Sequence, residues 1–388
     1  MKSLNVCLLN AGFDTSFKST EHLLGRYSHV PRLAEALADQ GHRVTVLQAF
    51  HRDETLQRGR VSMEFVTVEN SRKEPWAEIT QIADLTRKLE LFKPDVVHFF
   101  GLTMLPLRRA LGRWCAKNRA GLTASFHGGR PGRNPVTRWR QRQALSQTSA
   151  FFFPDTVVAK QWRVAGLIPA KAQLTLLPEV SSPFAGTPKQ TARRSLEVEG
   201  NPVFVWSGRL HPDKDPMTAL QGLQRISQTW PNLQLLMAYQ SKEMLEEIEA
   251  FLERDTAFKK RVKLLGLVDH HDMETLFSAA DFFVHSSRRE WGSNSLVEAL
   301  SCGAIPVVSD IPSLRALTEH VAPAIRFDVG DANGLAEQVL MLQLDDLGEL
   351  SGQVKSAFHA YLSYPVIAAG YSGVFEAVVN ACTGGPRS

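Results

Sequence analysis

Residues 282–310 read FFVHSSRREWGSNSLVEALSCGAIPVVSD, and this stretch decides the fold. It starts with an apolar run at 282–285, passes through a polar turn, and continues as an apolar-periodic segment that stops at Gly303. A second apolar run, 305–308, follows directly. A strand, a helix and another strand in this order, with both strands apolar throughout, predict a parallel sheet that is covered on both faces.

The same alternation runs outward through both halves of the chain. Strands are predicted at 4–9, 44–47, 96–99 and 122–126, and again at 203–206, 233–238, 262–266 and 324–327. Helices are predicted through 30–38, near 76–91 and near 105–117. With 388 residues the chain is too long for one ordinary core. The fold class is therefore α/β, with two Rossmann-like doubly wound parallel-sheet domains at 1–180 and 201–360 and a linker at 181–200.

Composition indicates a soluble globular protein, because 44% of the residues are hydrophobic and 22% are charged. The four cysteines show neither a metal-ligand spacing nor a disulfide pattern, which suits a reducing compartment. No apolar run has the length of a signal peptide or a membrane span. We therefore expect a cytoplasmic protein, with peripheral binding to the inner membrane face left open.

Charge is divided unevenly, with +11 on residues 1–180 and −7 on residues 181–388. Residues 101–150 hold ten basic groups and no acidic one. They include Arg108, Arg109, Arg113, Arg138, Arg140 and Arg142. Such a block favours an anionic membrane surface, and a solvated helical face is the alternative. No recognised nucleic-acid motif accompanies the charge, so nucleic acid is not a predicted partner.

The first candidate site motif is SGRLHPDK, residues 207–214, directly after a predicted strand. Gly208 permits a sharp turn, and Arg209 and Lys214 then leave the same loop. A guanidinium and an ammonium at a strand end can neutralise a diphosphate and stabilise the charge that builds as it leaves. Two ordinary surface cations are the alternative interpretation.

The second motif is the turn between Glu290 and Glu298, where a helix N-terminus can present free backbone N–H groups to a phosphate. The turn residues are Gly292, Ser293, Asn294 and Ser295. Ser295-x-x-Glu298 also fits a capping box, and two carboxylates also fit a glycoside hydrolase. The helix terminus and the two cations favour a diphosphate over a hydrolytic water.

The third motif, Phe126-His127-Gly128-Gly129, follows a strand of the N-terminal half. The two glycines allow the backbone to approach a ligand closely, and the imidazole of His127 would face the site. His98 ends the preceding strand in a similar way. A structural role is the alternative for both histidines, and more so for His98.

These segments together resemble the family-four retaining glycosyltransferases, over nearly the whole chain. The likeness is strongest in residues 203–310, which contain GRLHPDK, LLGLVDHHDMETLFSAADFFVHSS and two glutamates separated by seven residues. LAEALADQGHRVTVL and PDVVHFFG resemble the N-terminal domain of the family. YPVIAAGYSGVFEAVV resembles its final helix, which returns to the first domain.

The resemblance implies a GT-B fold, with an acceptor-side N-terminal domain, a nucleotide-sugar-binding C-terminal domain and a returning helix at 361–382. It also implies an enzyme of class EC 2.4 that takes a UDP- or GDP-sugar donor and a saccharide, lipid-linked or small-molecule acceptor. The implied enzyme retains anomeric configuration and needs neither a metal nor a cofactor besides the donor.

Roles for individual residues follow from the same resemblance. Arg209 and Lys214 would hold the donor diphosphate, Glu298 the ribose hydroxyls, and Glu290 with the 292–295 amides the sugar and phosphates. Leu267 and Val268 would present backbone groups to the base, and His127 would lie at the reacting centre.

The sequence departs from the family pattern at several positions. The long first loop, 10–29, leaves only Gly12 to match the usual paired glycines; Glu179-Val180 replaces the usual Asn-Gly, and Trp291 follows Glu290 where glycine is commoner. Two alternatives stay open: a nucleotide-sugar epimerase, to which Glu179 points, and a non-catalytic nucleotide-sugar-binding protein. A dehydrogenase is disfavoured because no G-x-G-x-x-G run follows the first strand.

Overall fold

The computed structural model describes residues 2–68 and 76–384. The chain forms two compact units. Unit 1 consists of residues 1–179 together with 364–388, and unit 2 consists of residues 180–363. Unit 1 is therefore built from two separate stretches of sequence.

The strands of the described residues are β1 (Asn5–Asn10), β2 (Gly12–Asp14), β3 (Arg43–Phe50), β4 (Glu54–Arg58), β5 (Val61–Thr67), β6 (Trp76–Glu78), β7 (Val96–Phe100), β8 (Gly121–Ser125), β9 (Ala150–Phe153), β10 (Gln173–Leu176), β11 (Val203–Gly208), β12 (Gln234–Tyr239), β13 (Val262–Gly266), β14 (Phe282–His285), β15 (Ile305–Ser309) and β16 (Ile325–Phe327).

The α-helices are α1 (Thr20–Arg26), α2 (His29–Asp39), α3 (Ile82–Phe92), α4 (Leu105–Asn118), α5 (Pro135–Leu145), α6 (Thr156–Val164), α7 (Lys189–Ser195), α8 (Pro216–Thr229), α9 (Leu245–Glu253), α10 (Thr256–Lys259), α11 (His270–Ala279), α12 (Asn294–Cys302), α13 (Pro312–Leu317), α14 (Ala332–Leu340), α15 (Leu347–Tyr361) and α16 (Tyr364–Thr383). Short 3-10 turns lie at Pro212–Lys214 and Leu344–Asp346.

Unit 1 is built on an eight-stranded sheet in the order β10-β9-β8-β7-β1-β3-β5-β4, parallel except for the β4–β5 pair. Its central strands are apolar because helices cover both faces. Helix α2 buries Leu33 and Leu37, and the left-handed Gly41 (φ +94°) follows it. Helix α16 belongs to this unit and buries Tyr371 and Phe375 in its core.

Unit 2 contains a six-stranded, wholly parallel sheet in the order β13-β12-β11-β14-β15-β16. The strand order reverses direction between β11 and β14, which are hydrogen-bonded neighbours. In open α/β sheets ligands bind outside the carboxyl ends of the strands at such a switch point. Residues 207–214 and 286–290 follow these two strands, so the sheet brings the first two motifs to one place.

Three local predictions are wrong. Residues 76–78 are not helical, because Trp76–Glu78 pairs antiparallel with Gly12–Asp14 and the helix starts only at Ile82. Helix α12 starts at Asn294 rather than at Leu296, because Ser293 caps it. Residues 181–200, expected as a linker, contain helix α7 and belong to unit 2.

One helical stretch, 344–383, is long and apolar enough to cross a membrane, although the sequence analysis found no run of that length. Of its most apolar window, 61% is buried inside the protein, as in the core helix of a globular domain.

Candidate active site

The loop after β11 carries Arg209 and Lys214. Gly208 ends the strand, and a Cβ atom added there would lie 3.1 Å from the Trp206 ring, which would have to shift slightly to admit it. Pro212–Lys214 forms a 3-10 turn, and Asp215, with φ 45°, then caps α8 by accepting a hydrogen bond from the Thr218 N–H (3.3 Å). The turn fixes the position from which the Lys214 side chain extends.

Lys214 and Glu290 form an ion pair at the switch point of the unit 2 sheet. Both side chains are largely buried, with 22% and 10% of their surfaces exposed. The Ser287 hydroxyl donates a second hydrogen bond to the same Glu290 oxygen, over 3.1 Å. Since the two residues are 76 positions apart in sequence, the β11–β14 pairing is what brings this cation and carboxylate together.

His285, at the end of β14, connects this ion pair to the start of α12. Its Nε2 lies 3.5 Å from a Glu290 carboxylate oxygen and 2.7 Å from the Ser293 Oγ. Burial, and secondarily the charge of Lys214, lower the pKa of His285 to about 3. The imidazole is therefore neutral at pH 7: it hydrogen-bonds to the Ser293 hydroxyl, and its contact with Glu290 is not an ion pair.

Ser293 is the N-cap of α12, because its hydroxyl accepts a hydrogen bond from the Leu296 N–H (3.2 Å). The capping box of Ser295 with Glu298 is therefore wrong. Glu298 lies in the second turn of the helix, and its carboxylate contacts His270 Nε2 over 2.9 Å. Only 9% of Glu298 is exposed.

Arg209 differs from Lys214 in its surroundings. The residue is exposed, and in the described part of the chain its guanidinium makes no hydrogen bond or ion pair. It lowers the pKa of the Asp213 carboxyl, although Arg289 is the main cause of that shift. An exposed cation in the loop that also carries Lys214 is available to an anionic ligand.

The other residues predicted to bind the donor lie near strand and helix ends of unit 2. Gly292, Asn294 and Ser295 surround the Ser293 cap. Leu267 and Val268 follow the left-handed Gly266 (φ +69°) in the loop before α11, where Leu267 is 70% exposed.

In unit 1, His127 follows β8 and is exposed. Its Nε2 lies 2.9 Å from the Ser125 Oγ, and its ring packs against Phe100 with 5.3 Å between the ring centroids. Gly128 and Gly129 have φ values of +92° and +97°, a conformation that other residues rarely adopt. His98, by contrast, is fully buried between two hydroxyl groups and has the structural surroundings of the alternative interpretation.

Two further sequence features have defined surroundings in unit 1. Gly12 lies in β2, where an added Cβ would lie 2.7 Å from the Trp76 ring. Glu179 has one buried carboxylate oxygen without a hydrogen-bond partner among the described residues. Burial, and then the charge of Asp155, raise the pKa of Glu179 well above its usual range.

The basic block at 101–150 is only partly a charged surface. Arg108 is 1% exposed; it donates to the Gly101 carbonyl (2.6 Å), and its guanidinium lies 4.7 Å from the Phe99 ring centroid. Burial lowers the pKa of Arg108 to about 9. The prediction that Arg108 belongs to an anion-binding surface is therefore wrong. Arg113, Arg138, Arg140 and Arg142 are exposed, and Arg109 is half-buried.

One group of side chains among the described residues could hold a metal ion. Ligand atoms of Asp269, His271 and Asp272, at the start of α11, lie within 4.8 Å of one another. All three residues are exposed, and carboxylates are common at helix N-termini without any metal.

Sequence reasoning missed three residues of this site: His285, Ser287 and His270. His285 was interpreted only as the last residue of an apolar strand. His285 lies beside Glu290 because the chain from 286 to 292 turns back and places Ser293 next to His285. No local sequence pattern predicts this turn. His270 contacts Glu298 through the packing of α11 against α12, which is also invisible in a single sequence.

Comparison with known proteins gives the same kind of result for both units. The family described as "Glycosyl transferases group 1" matches residues 201–345, and the family described as "Glycosyltransferase Family 4" matches residues 28–175. Together these matches cover well over half of the chain.

Two curated relatives are mannosyltransferases. The chain is 26% identical, over 42% of each chain, to a GDP-mannose:cellobiosyl-diphosphopolyprenol alpha-mannosyltransferase from Xanthomonas oryzae. It is 24% identical, over 68% of its own length and 70% of the relative, to a GDP-mannose-dependent monoacylated alpha-(1-6)-phosphatidylinositol monomannoside mannosyltransferase from Corynebacterium glutamicum. The first match thus spans less than half of the Xanthomonas enzyme.

Among solved structures, a sucrose-phosphate synthase from Thermosynechococcus elongatus superposes with a TM-score of 0.67. The superposition covers 97% of this chain and 99% of that one, at 16% identity. At this identity the likeness concerns the fold.

Proposed function

The chain belongs to the family-four glycosyltransferases and has the GT-B fold, and from this premise we propose that it is a retaining, metal-independent enzyme that transfers a sugar from a UDP- or GDP-sugar. The proposed acceptor is a saccharide, a lipid-linked sugar or a small molecule. The relatives from Xanthomonas and Corynebacterium support a lipid-linked acceptor, since their names specify a diphosphopolyprenol and a phosphatidylinositol mannoside.

The Lys214–Glu290 ion pair carries this proposal. It lies at the switch point of the unit 2 sheet and is connected through His285 to the cap of α12. Ligands of open α/β sheets bind at this point, and the N-terminus of a helix favours a phosphate. A cation, a carboxylate and a helix start are the groups that a sugar diphosphate needs.

In the proposed reaction a new bond forms between an acceptor oxygen and the anomeric carbon, on the face that the diphosphate leaves. The bond from the anomeric carbon to the diphosphate oxygen breaks, and that phosphate accepts the proton of the acceptor hydroxyl. Arg209 and Lys214 stabilise the negative charge of the leaving group, which removes the need for a metal ion. Glu298 binds the ribose, and Glu290 with the 292–295 amides holds the sugar and phosphates.

A donor panel tests the proposal. The protein is incubated with UDP- and GDP-sugars, with and without acceptors, and nucleotide release and the donor are followed. We expect release of UDP or GDP that an acceptor accelerates, together with an α-linked product from an α-linked donor. A β-linked product would reject retention, and an unchanged donor in every case would indicate a binding protein.

The surroundings of Glu179 favour a second candidate function, that of a nucleotide-sugar epimerase of the same fold. A buried carboxyl with a raised pKa can hold a proton near neutral pH and deliver it during catalysis. In the same panel an epimerase would isomerise the donor, and its activity would depend on Glu179.

The exposed part of the basic block supports a second proposal, contact with an anionic membrane that carries the acceptor. Helix α5 exposes Val136 (60%) and Trp139 (55%) next to Arg138 and Arg140. Exposed cations attract anionic headgroups over short range, and an exposed tryptophan suits the membrane interface.

A further inference from the structure

The hydroxyl group of Ser125, at the end of β8, lies within hydrogen-bond distance of two histidines. Its Oγ lies 2.9 Å from His127 Nε2 and 3.1 Å from His98 Nε2. The other ring nitrogen of His98, Nδ1, lies 2.9 Å from the Thr123 Oγ1. Thr123 faces His98 directly because the parallel strands β7 and β8 pair these two residues. The four side chains thus form a continuous chain of hydrogen bonds from the core of unit 1 to exposed His127.

The direction of these bonds can be deduced from the core end. Thr123 is fully buried, and within the described residues His98 Nδ1 is the hydrogen-bond partner of its hydroxyl. A hydroxyl always has a proton to donate, and a buried donor without an acceptor costs about 1–3 kcal/mol. Thr123 therefore donates to His98 Nδ1, which must be unprotonated.

His98 then determines the next bond. Burial lowers the pKa of His98 well below its usual range, so the ring is neutral and has a single N–H. With Nδ1 unprotonated, that hydrogen is on Nε2, and it is donated to the Ser125 Oγ. His98 is 0% exposed and lies among Phe100, Phe152 and Tyr371, so water cannot substitute for either partner.

Ser125 accepts the bond from His98 and has one proton of its own to donate. Among the described residues the second hydrogen-bond partner of its Oγ is His127 Nε2. Ser125 therefore donates to His127 Nε2. In the described part of the chain no side chain or backbone group hydrogen-bonds to His127 Nδ1.

We propose that the Thr123–His98–Ser125 chain positions His127 in the Nδ1–H tautomer, so that His127 donates a hydrogen bond to a sugar oxygen and does not act as a general base through Nε2. The identity of the ligand as a sugar rests on the proposed function, whereas the tautomer follows from the side chains of unit 1 alone. Ser125, His98 and Thr123 are positioning residues, because they act through His127.

The tautomer can be read directly by NMR of the full chain labelled with ¹⁵N-histidine, without any substrate. Loss of one signal in His127→Asn identifies the His127 resonances. We expect an unprotonated Nε2 and a protonated Nδ1 at pH 7 in the wild type. In Ser125→Ala we expect a mixture of tautomers, because Nε2 loses its donor. A protonated Nε2 in the wild type, or an equal mixture of tautomers, would overturn the assignment.

Kinetics with matched variants test whether His127 donates a hydrogen bond through Nδ1. The amide nitrogen of asparagine can replace Nδ1–H of histidine, whereas the glutamine amide lies nearer the Nε2 position. His127→Asn should therefore keep about tenfold more of kcat/KM than His127→Gln, the effect expected for one hydrogen bond. Equal activity of the two variants, or higher activity of His127→Gln, would contradict the donor role.

A double-mutant comparison separates positioning from a general loss of structure. Ser125→Ala should lower kcat/KM about threefold to fivefold in the wild type, because only part of the histidine then has Nδ1 protonated. In His127→Asn the same change should alter kcat/KM less than about twofold, because the asparagine does not depend on the tautomer. An equal loss in both backgrounds would reject positioning. Should no donor in the panel react, the proposed function fails, while the NMR result still decides the tautomer.

Discussion

His270 Nε2 lies 2.9 Å from a carboxylate oxygen of Glu298, and this contact joins the first residue of α11 to the middle of α12. The carboxylate is 11% exposed and the imidazole 36% exposed, so the contact lies at the border of the unit 2 core. The contact holds one carboxylate oxygen of Glu298, and the proposed ribose role would use the other oxygen.

Replacing Glu298 with alanine should weaken donor binding. Ribose contacts are equal in the ground state and the transition state, so KM for the donor should rise about tenfold or more while kcat changes little. Steady-state kinetics with varied donor measures both constants. His270→Ala is the matched control and should raise KM less, since it removes only the partner that orients the carboxylate. An unchanged KM in Glu298→Ala would reject the ribose role.

Replacing Arg209 with alanine should lower kcat by about a hundredfold or more, because the guanidinium would stabilise charge that develops on the leaving diphosphate. The folded state should keep its thermal stability, since Arg209 is exposed. Arg225→Ala, which removes an exposed arginine of α8, is the matched control and should leave the rate unchanged. A decrease of less than about threefold in Arg209→Ala contradicts the leaving-group role.

His285 should make the protein sensitive to acid. Its pKa is about 3 in the folded protein against an ordinary value of 6.5, so between these pH values only the unfolded chain takes up this proton. Above pH 6.5 the contribution of His285 to the free energy of unfolding is constant. Below pH 6.5 the free energy of unfolding falls by about 1.4 kcal/mol for each pH unit.

Denaturant unfolding between pH 7 and pH 4 tests this for wild type and His285→Asn. The stability difference between the two proteins should shrink as the pH falls. Parallel curves for wild type and His285→Asn would mean that the imidazole is protonated in the folded state.

Chelation should leave the rate unchanged, because Arg209 and Lys214 would supply the positive charge at the diphosphate. Activity is measured after treatment with EDTA and again after addition of Mg²⁺ or Mn²⁺. Asp269→Asn combined with Asp272→Asn removes carboxylates from the exposed metal-compatible group and should be equally silent. A rate that EDTA lowers and Mg²⁺ or Mn²⁺ restores rejects metal independence.

Vesicles that contain anionic lipid should bind the protein at low salt and release it at high salt, because exposed charges are screened as ionic strength rises. Trp139→Ala and Arg140→Glu should each weaken the binding in co-sedimentation. Leu91→Ala, which removes another exposed apolar side chain (74%), is the control and should bind as the wild type does. Equal binding to neutral vesicles would remove the electrostatic argument.

The sequence predicted most of the parallel strands because their apolar runs are uninterrupted, as in β11, β14 and β15. It also assigned Arg209, Lys214 and the helix start near 292–295 to one diphosphate, which requires the loops after β11 and β14 to be neighbours. The ion pair of Lys214 with Glu290 shows that these two loops are neighbours. The roles of these residues in binding a donor stay predictions.

Contacts made by packing were beyond a single sequence. Arg108 counts as a surface charge in any composition, and only the fold shows the Gly101 carbonyl and the Phe99 ring that enclose it. Ser295 and Glu298 have the spacing of a capping box, yet Ser293 caps the helix because the turn ends two residues before Ser295. Residues 76–78 have a helical pattern, but pairing with β2 makes them a strand.

The division of unit 1 into two stretches has a consequence for synthesis. A ribosome completes all of residues 180–363 before it makes α16, whose Tyr371 and Phe375 fill the core of unit 1. Unit 2 can therefore finish folding first, while the hydrophobic residues of β7 and β8 wait for a helix that arrives last. Until α16 has been made, these residues of the N-terminal sheet are exposed, and exposed hydrophobic surface favours aggregation.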